Sequence, residues 1–273
     1  MPALYVVATP IGNLEDITLR AIRTLKEVQL IAAEDTRKTR QLLSAYGIQT
    51  PTTSYHEHNK LTKLEYILTR LKSEDVALVS DAGMPGISDP GYELISAVSQ
   101  QNIPVIPIPG PSVLITALVV SGLPADNFLY IGFLPHKSSE RRRILKSRAD
   151  EKATLLFFES PHRIPASLQD MLEILGDRKI AICRELTKIH EEIFRGSISQ
   201  AIDRFITPRG EFTLVIAGKT DAAEPTITAD IEKTLRQMHH SGVTAKEAVT
   251  KITGETGIAR KEIYQAWIKI NKE

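Results

Sequence analysis

The stretch SDAGMPGISDPG, Ser80 to Gly91, sets three glycines among two carboxylates, Asp81 and Asp89, directly after the apolar run Val76 to Val79. A glycine-rich loop at the carboxyl end of a parallel strand is where open α/β sheets take ligands, because glycine tolerates positive φ and close backbone approach. Two carboxylates do not suit a pyrophosphate, and no lysine follows in the P-loop manner. They suit a ligand with positive charge or hydroxyls, such as a sulfonium, an amine or a ribose. Asp81 reads as the ligand contact. Asp89, with Pro90 at the first helical position, reads as the N-cap of the next helix. Two more Gly/Pro loops follow strands in the same half, TPIGN (Thr9 to Asn13) and PGPS (Pro109 to Ser112). None carries the GxGxxG spacing, which argues against a dehydrogenase.

Four polar clusters sit near expected strand ends: Glu34-Asp35-Thr36-Arg37, the loop HEHN (His56 to Asn59), Glu159-Ser160-Pro161-His162-Arg163, and Arg184-Glu185 with Lys188 and His190. Each has a plain structural reading. Asp35 and Ser160 fit helix caps, Arg37 fits an ion pair, and two histidines alone make no metal site. Together the clusters describe a cleft for a polar substrate. Either Glu159 or Glu185 can serve as a base, and Arg37, Arg163, Arg184 and Lys188 can hold phosphates or an alkoxide.

The elements that must position these residues follow from hydrophobic periodicity. Strand and helix signals alternate through the first half. ALYVVAT, QLIAAE, VALV and IPVIPI read as strands, and Leu19, Ile22, Leu25 and Val28 mark a helix, which argues for a mostly parallel sheet over 1–112. PIPGPS resembles a hinge. Five strand-like runs then follow over 113–220: FLYIGFL, TLLFFES, KIAICREL, EEIFRGSI and FTLVIAG. Two of them are too close for a crossover helix and should pair antiparallel. A linker, KTDAAEPTIT, leads to an all-helical segment, 226–273, with a helix-turn-helix rhythm.

The 273-residue chain carries a net charge of +1, so any contact with nucleic acid must come from local patches. One such patch is HKSSERRRILKSR, His136 to Arg148, with Lys137, Arg141, Arg142 and Arg143. Its alternative reading is an exposed amphipathic helix with Ile144 and Leu145 inward. Arg260, Lys261, Lys269 and Lys272 in the last helix can likewise track a phosphate backbone, or Ile263, Trp267 and Ile270 can make that helix a docking face. The single cysteine, Cys183, excludes a disulfide framework and reads as core. The N-terminus lacks a basic signal-peptide region and no apolar run approaches about 20 residues, so a cytoplasmic protein is expected.

The motifs TPIGNLEDIT, AEDTRKTRQLL, SDAGMPGISDPG, PGPS, ESPHR, CRELTK and GEFTLVIAG, in this order, resemble the tetrapyrrole methylase superfamily. Within it the resemblance is to the branch that methylates small-subunit ribosomal RNA. It implies a two-domain α/β fold with S-adenosyl-L-methionine (SAM) in the interdomain cleft, a homodimer, and no metal. It also implies 2′-O-methylation of a cytidine in the decoding region of 16S ribosomal RNA in the small ribosomal subunit. By motif, SAM contacts fall on Ile11, Gly12, Asp81, Gly83, Met84, Ser112, Val113, Phe158 and Ala217. The rival expectation is SAM-dependent C-methylation of a porphyrinoid precursor. The basic stretch, ESPHR and the helical segment count against it.

Overall fold

A computed structural model of the chain describes residues 2–220, 227–256, 258 and 260–270. The chain forms two compact units, Met1–Gly218 and Lys219–Glu273. In the first, β1 (Leu4–Val7), β2 (Leu30–Ala33), β3 (Thr52–Ser54), β4 (Val76–Val79) and β5 (Val105–Ile108) form a sheet in the order β3-β2-β4-β1-β5. Every pairing is parallel. β2 and β4 are buried along their whole length, which is why they read as unbroken apolar runs rather than alternating ones.

Helices α1 (Leu19–Glu27), α2 (Thr36–Ala45), α3 (Lys60–Arg70) and α4 (Tyr92–Gln100) cover this sheet. Leu4, Leu30 and Leu78 pack with α3 and α4 on one face, and Val7, Ile31 and Val79 with α1 and α2 on the other. Thr18 caps α1 by accepting from the Ala21 N–H at 3.1 Å, so the apolar stripe begins at Ala21. Leu19, counted into the stripe from sequence, is 87% exposed. Asp35 caps α2 as expected, accepting from the Arg37 N–H.

After Ser112 the chain enters α5 (Val113–Ser121), then β6 (Phe128–Phe133), α6 (Ser138–Ser147), β7 (Thr154–Glu159), α7 (Ile164–Leu175), β8 (Lys179–Arg184), β9 (Glu192–Ser197), α8 (Ile198–Arg204) and β10 (Phe212–Ile216). The second sheet runs β6-β7-β10-β8-β9. Only β6 and β7 pair parallel, and β8 and β9 pair antiparallel as their short connection requires. Helices α6, α7 and α8 close one face. On the other, α5 packs Leu114, Ala117 and Leu118 against Leu156, Cys183 and Val215, and Ile11 from the first sheet's loops joins the same cluster. That shared core fixes the two sheet edges relative to each other. Cys183 is buried there, and burial pushes its thiol up to about 11.

The second unit packs α9 (Ala229–His240), α10 (Ala245–Thr256) and α11 (Arg260–Ile270) around Leu235, Ile252, Ile263 and Trp267. Of the expected linker, residues 221–226 lie outside the described residues, as does Lys272. No described helix is long and apolar enough to cross a membrane.

Candidate functional site

All strands of the first sheet run the same way, so the loops after β1, β4 and β5 emerge at one edge. Two are stitched together: the Thr9 N–H donates to the Gly83 carbonyl at 2.9 Å, and the Gly83 N–H donates back at 3.0 Å. Gly83 sits at φ +76°, and a Cβ there would come to rest 3.6 Å from Ile11 Cγ2 and 3.8 Å from the Pro111 carbonyl. The missing side chain leaves the meeting point of three loops open. Against it stand the ends of β6 and β7 and the start of β10. Between the two edges lies a cavity of about 330 Å³.

Six of the nine residues expected around a cofactor line this cavity: Ile11, Gly83, Met84, Ser112, Val113 and Phe158. Three do not. Gly12 is pressed against the neighbouring loop, where a Cβ would lie 2.5 Å from Lys188 Cγ and 3.1 Å from the Leu186 carbonyl. Asp81 turns toward α2, accepting from the Asp35 N–H at 3.0 Å and from Lys38 Nζ at 2.6 Å. Ala217 lies past the opposite end of β10, its N–H donating to the carbonyl of Lys179 at the start of β8. Phe212 and Thr213, at the other end of that strand, take its place in the wall.

Asp89 departs from its expected part as a cap. The N-cap position of α4 belongs to Gly91 at φ +153°, a conformation open to glycine, so the helix starts at Tyr92. Asp89 lines the cavity instead. Burial, with the carboxylates of Glu34 and Asp81 nearby, pushes its carboxyl up to about 6, against a smaller opposing effect of the Ser80 hydroxyl. Glu34 is raised as well, chiefly by burial. Ser88, just before Asp89, holds the left-handed conformation at φ +63°, and its hydroxyl bonds the hydroxyl of Tyr130 on β6. The loop that carries Asp89 is thus tied to the second sheet. Phe158 packs edge-on against Tyr130 and Phe133, with ring centroids 5.2 and 5.5 Å apart.

The two carboxylates expected as bases are occupied. The Glu159 side chain is fully buried and receives the Ser160 N–H at 2.8 Å, the Ser167 hydroxyl at 2.6 Å and the Arg163 guanidinium. Arg163 also donates to Ser160 Oγ and the Leu134 carbonyl, so this pair braces the turn after β7. Glu185 accepts from the Glu211 N–H at 2.8 Å and Lys188 Nζ at 3.1 Å. Burial alone would raise its carboxyl, but those partners outweigh it and hold the group below the ordinary range. A base held so low is a weak one. Lys188 also reaches Glu211, a cavity residue, at 2.9 Å. Arg184, at the end of β8, is bound to the Arg209 carbonyl and Glu192.

The expected RNA contacts divide. Arg37 is exposed but makes a two-point pair with Asp35. Lys137 and Arg143 on the α6 segment are exposed. Arg141 is not: it is 4% exposed and donates to Asp170 of α7 at 2.7 Å. It lies one helical turn before buried Leu145, so the helix's phase turns it inward. Arg142 is half-buried and pairs with Asp170 and Glu173. Arg260 and Lys261 are exposed on α11. In the HEHN loop, His56 Nδ1 is buried without a partner and the His56 and His58 rings meet edge-on at 6.0 Å. Among the described residues no three His, Cys, Asp or Glu side chains are grouped to hold a metal ion.

The family described as Tetrapyrrole (Corrin/Porphyrin) Methylases matches residues 3–202. A protein named ribosomal RNA small subunit methyltransferase I, from Halalkalibacterium halodurans, is 48% identical over 271 residues, which is 97% of this chain and 94% of that one. One of the same name from Thermotoga maritima is 51% identical over 222 residues, 80% of this chain and the whole of its own length. A solved structure of diphthine synthase superposes with a TM-score of 0.66, covering 80% of this chain and 90% of that one. Its sequence identity is 14%, so this likeness is one of fold.

Proposed function

Since the chain belongs to the tetrapyrrole (corrin/porphyrin) methylase family, we propose that it is a SAM-dependent RNA methyltransferase. Its acceptor is the ribose 2′-hydroxyl of a cytidine in the decoding region of 16S ribosomal RNA, in the small ribosomal subunit, and its site of action is the cytoplasm. The relatives that are nearly half identical over almost the full chain carry ribosomal RNA in their name, and that supports the substrate class.

The cavity residues fit SAM. Ile11, Met84, Val113 and Phe158 offer apolar surface for an adenosine, the bare Gly83 backbone permits close approach, and Asp89 sets negative charge where a cation would rest. When bound, SAM supplies a methyl carbon on a sulfonium, whose bonding pair returns to sulfur as the carbon passes to the acceptor oxygen. The chain must align that oxygen and receive its proton.

Asp89 is the observation that carries the mechanism. A ribose hydroxyl is almost wholly protonated near neutrality, so a carboxylate with a pKa of about 6, ionised at pH 7 yet more basic than an ordinary aspartate, suits the task. It takes the 2′-proton as the oxygen's lone pair forms the new C–O bond. Tyr130 and Ser88 hold the loop that carries it, and Phe133 and Phe158 give that side of the cavity an apolar wall. Lys188 lies behind that wall, paired with Glu185 and with the lining residue Glu211, and partly offsets the negative charge there.

The test supplies methyl-labelled SAM and small ribosomal subunits from cells lacking the protein, then locates the label by nuclease digestion. Label on one cytidine 2′-oxygen in the decoding region is the expected result. Label on a base, or none in RNA while SAM still binds, would overturn the reading.

A further inference from the structure

Another hollow, of about 380 Å³, opens at the same edge of the second sheet, on the α8 face. Its wall carries Arg184, Arg204 and Arg209 with a single carboxylate, Glu192. Arg184 stands opposite Phe212 in the β8–β10 ladder, and Phe212 lines the cavity. The two hollows therefore meet at this sheet edge from its two faces, with Cys183 lining the cavity and Arg184 the hollow.

Glu192 is divided between two of the three guanidinium groups, Arg184 at 3.2 Å and Arg204 at 2.9 Å. The Arg209 guanidinium has no partner among the described residues. Its own carbonyl is what Arg184 Nε grips at 2.5 Å, which fixes the backbone that presents it. The other carboxylates on these loops are engaged elsewhere: Glu185 and Glu211 turn to Lys188, and Glu191 accepts from the Thr187 N–H. Three forked cations around one shared carboxylate leave donors in excess, and guanidinium forks match the oxygens of a phosphate.

We propose that this hollow is a phosphodiester subsite: Arg204 and Arg209, steadied by Arg184 and Glu192, hold a backbone phosphate of the acceptor RNA next to the nucleotide in the cavity. The inference rests on the RNA reading above and deepens it. Phosphate contacts of this kind position a strand without reading its sequence. The site therefore sets register, delivering one ribose to Asp89 and withholding its neighbours.

The double variant Arg204→Glu/Arg209→Glu tests it, alongside the wild-type protein, with small ribosomal subunits as acceptor and SAM binding followed by calorimetry. Both side chains are exposed, so the fold and SAM affinity should persist. The expected result is a KM for subunits raised about tenfold or more, and a salt dependence of binding shallower by about one to two contacts. An unchanged KM and salt slope, with the wild type active, would overturn the subsite and leave the RNA reading intact. A wild type that labels no RNA at all would instead overturn the reading beneath it.

Discussion

Asp89 joins the chemistry of the site to the thermodynamics of the fold. Its carboxyl stands at about 6 in the folded chain and near the ordinary 3.8 when unfolded, so folding takes up a proton between those values. The linkage has a fixed sign. The stability is fully present below about pH 4 and is lost as pH rises through about 6, after which the fold carries the cost of a half-buried charge. Asp89→Asn should therefore melt at a higher temperature than wild type at pH 8, and the difference should vanish toward pH 4. Methyl transfer by the variant should fall about 10²- to 10⁴-fold, the usual worth of a general base, and wild-type kcat should decline below pH 6. Calorimetry across that range decides it; equal melting temperatures at every pH would show that folding does not raise this carboxyl. The loop announced itself through its glycines and carboxylates. What the sequence could not separate was the part each aspartate plays. Pro90 mimics a helix start, yet Gly91 delays it by adopting φ +153°, and Asp81 is captured by Lys38 and the amide of Asp35, the cap of α2, neither of them near it in sequence.

Helix α6 shows what local pattern carries and where it stops. Its basic residues and the inward turn of Leu145 were legible, as were the five strand runs of the second sheet. Which of three successive arginines faces inward depends on helix phase together with Asp170, supplied from α7. No local pattern contains that partner. β3 escaped for a related reason: it is three polar, half-buried residues at a sheet edge, with no apolar run to mark it. The division of labour on α6 has separable consequences. Arg141→Ala removes the closest cation from buried Asp170, leaving it Arg142 and the Ser138 hydroxyl, and should cost about 1.5–3 kcal/mol of stability. Arg143→Ala/Lys146→Ala, at exposed positions, should leave stability nearly unchanged and reduce the salt slope of subunit binding by about one per lost phosphate contact. Denaturant titration and binding at several salt concentrations would separate the two effects. A fully stable Arg141→Ala protein would contradict the burial argument.

At the scale of the molecule, the question is what the helical unit adds. Met1–Gly218 contains both sheets, the cavity and the arginine hollow, and α9, α10 and α11 close a core of their own. The Thermotoga maritima relative bears the same name as the longer relatives although only 80% of this chain is needed to match its whole length. We propose that the first unit, which holds the cavity, binds SAM and transfers the methyl group, with Arg260 and Lys261 adding to RNA affinity. We propose that the homodimer implied by the resemblance is likewise formed by the first unit. Ile115 and Val119, one turn apart on α5, are 47% and 70% exposed, an apolar face of the kind that subunits cover. A chain ending at Gly218 should then remain a dimer by light scattering, keep its SAM affinity, and still label ribosomal subunits, with a raised KM as the main loss. Should it bind SAM yet transfer no methyl group under saturating acceptor, the helical unit would have to supply part of the reacting geometry. Should it become a monomer, the subunit contact would lie in α9 to α11 rather than on α5.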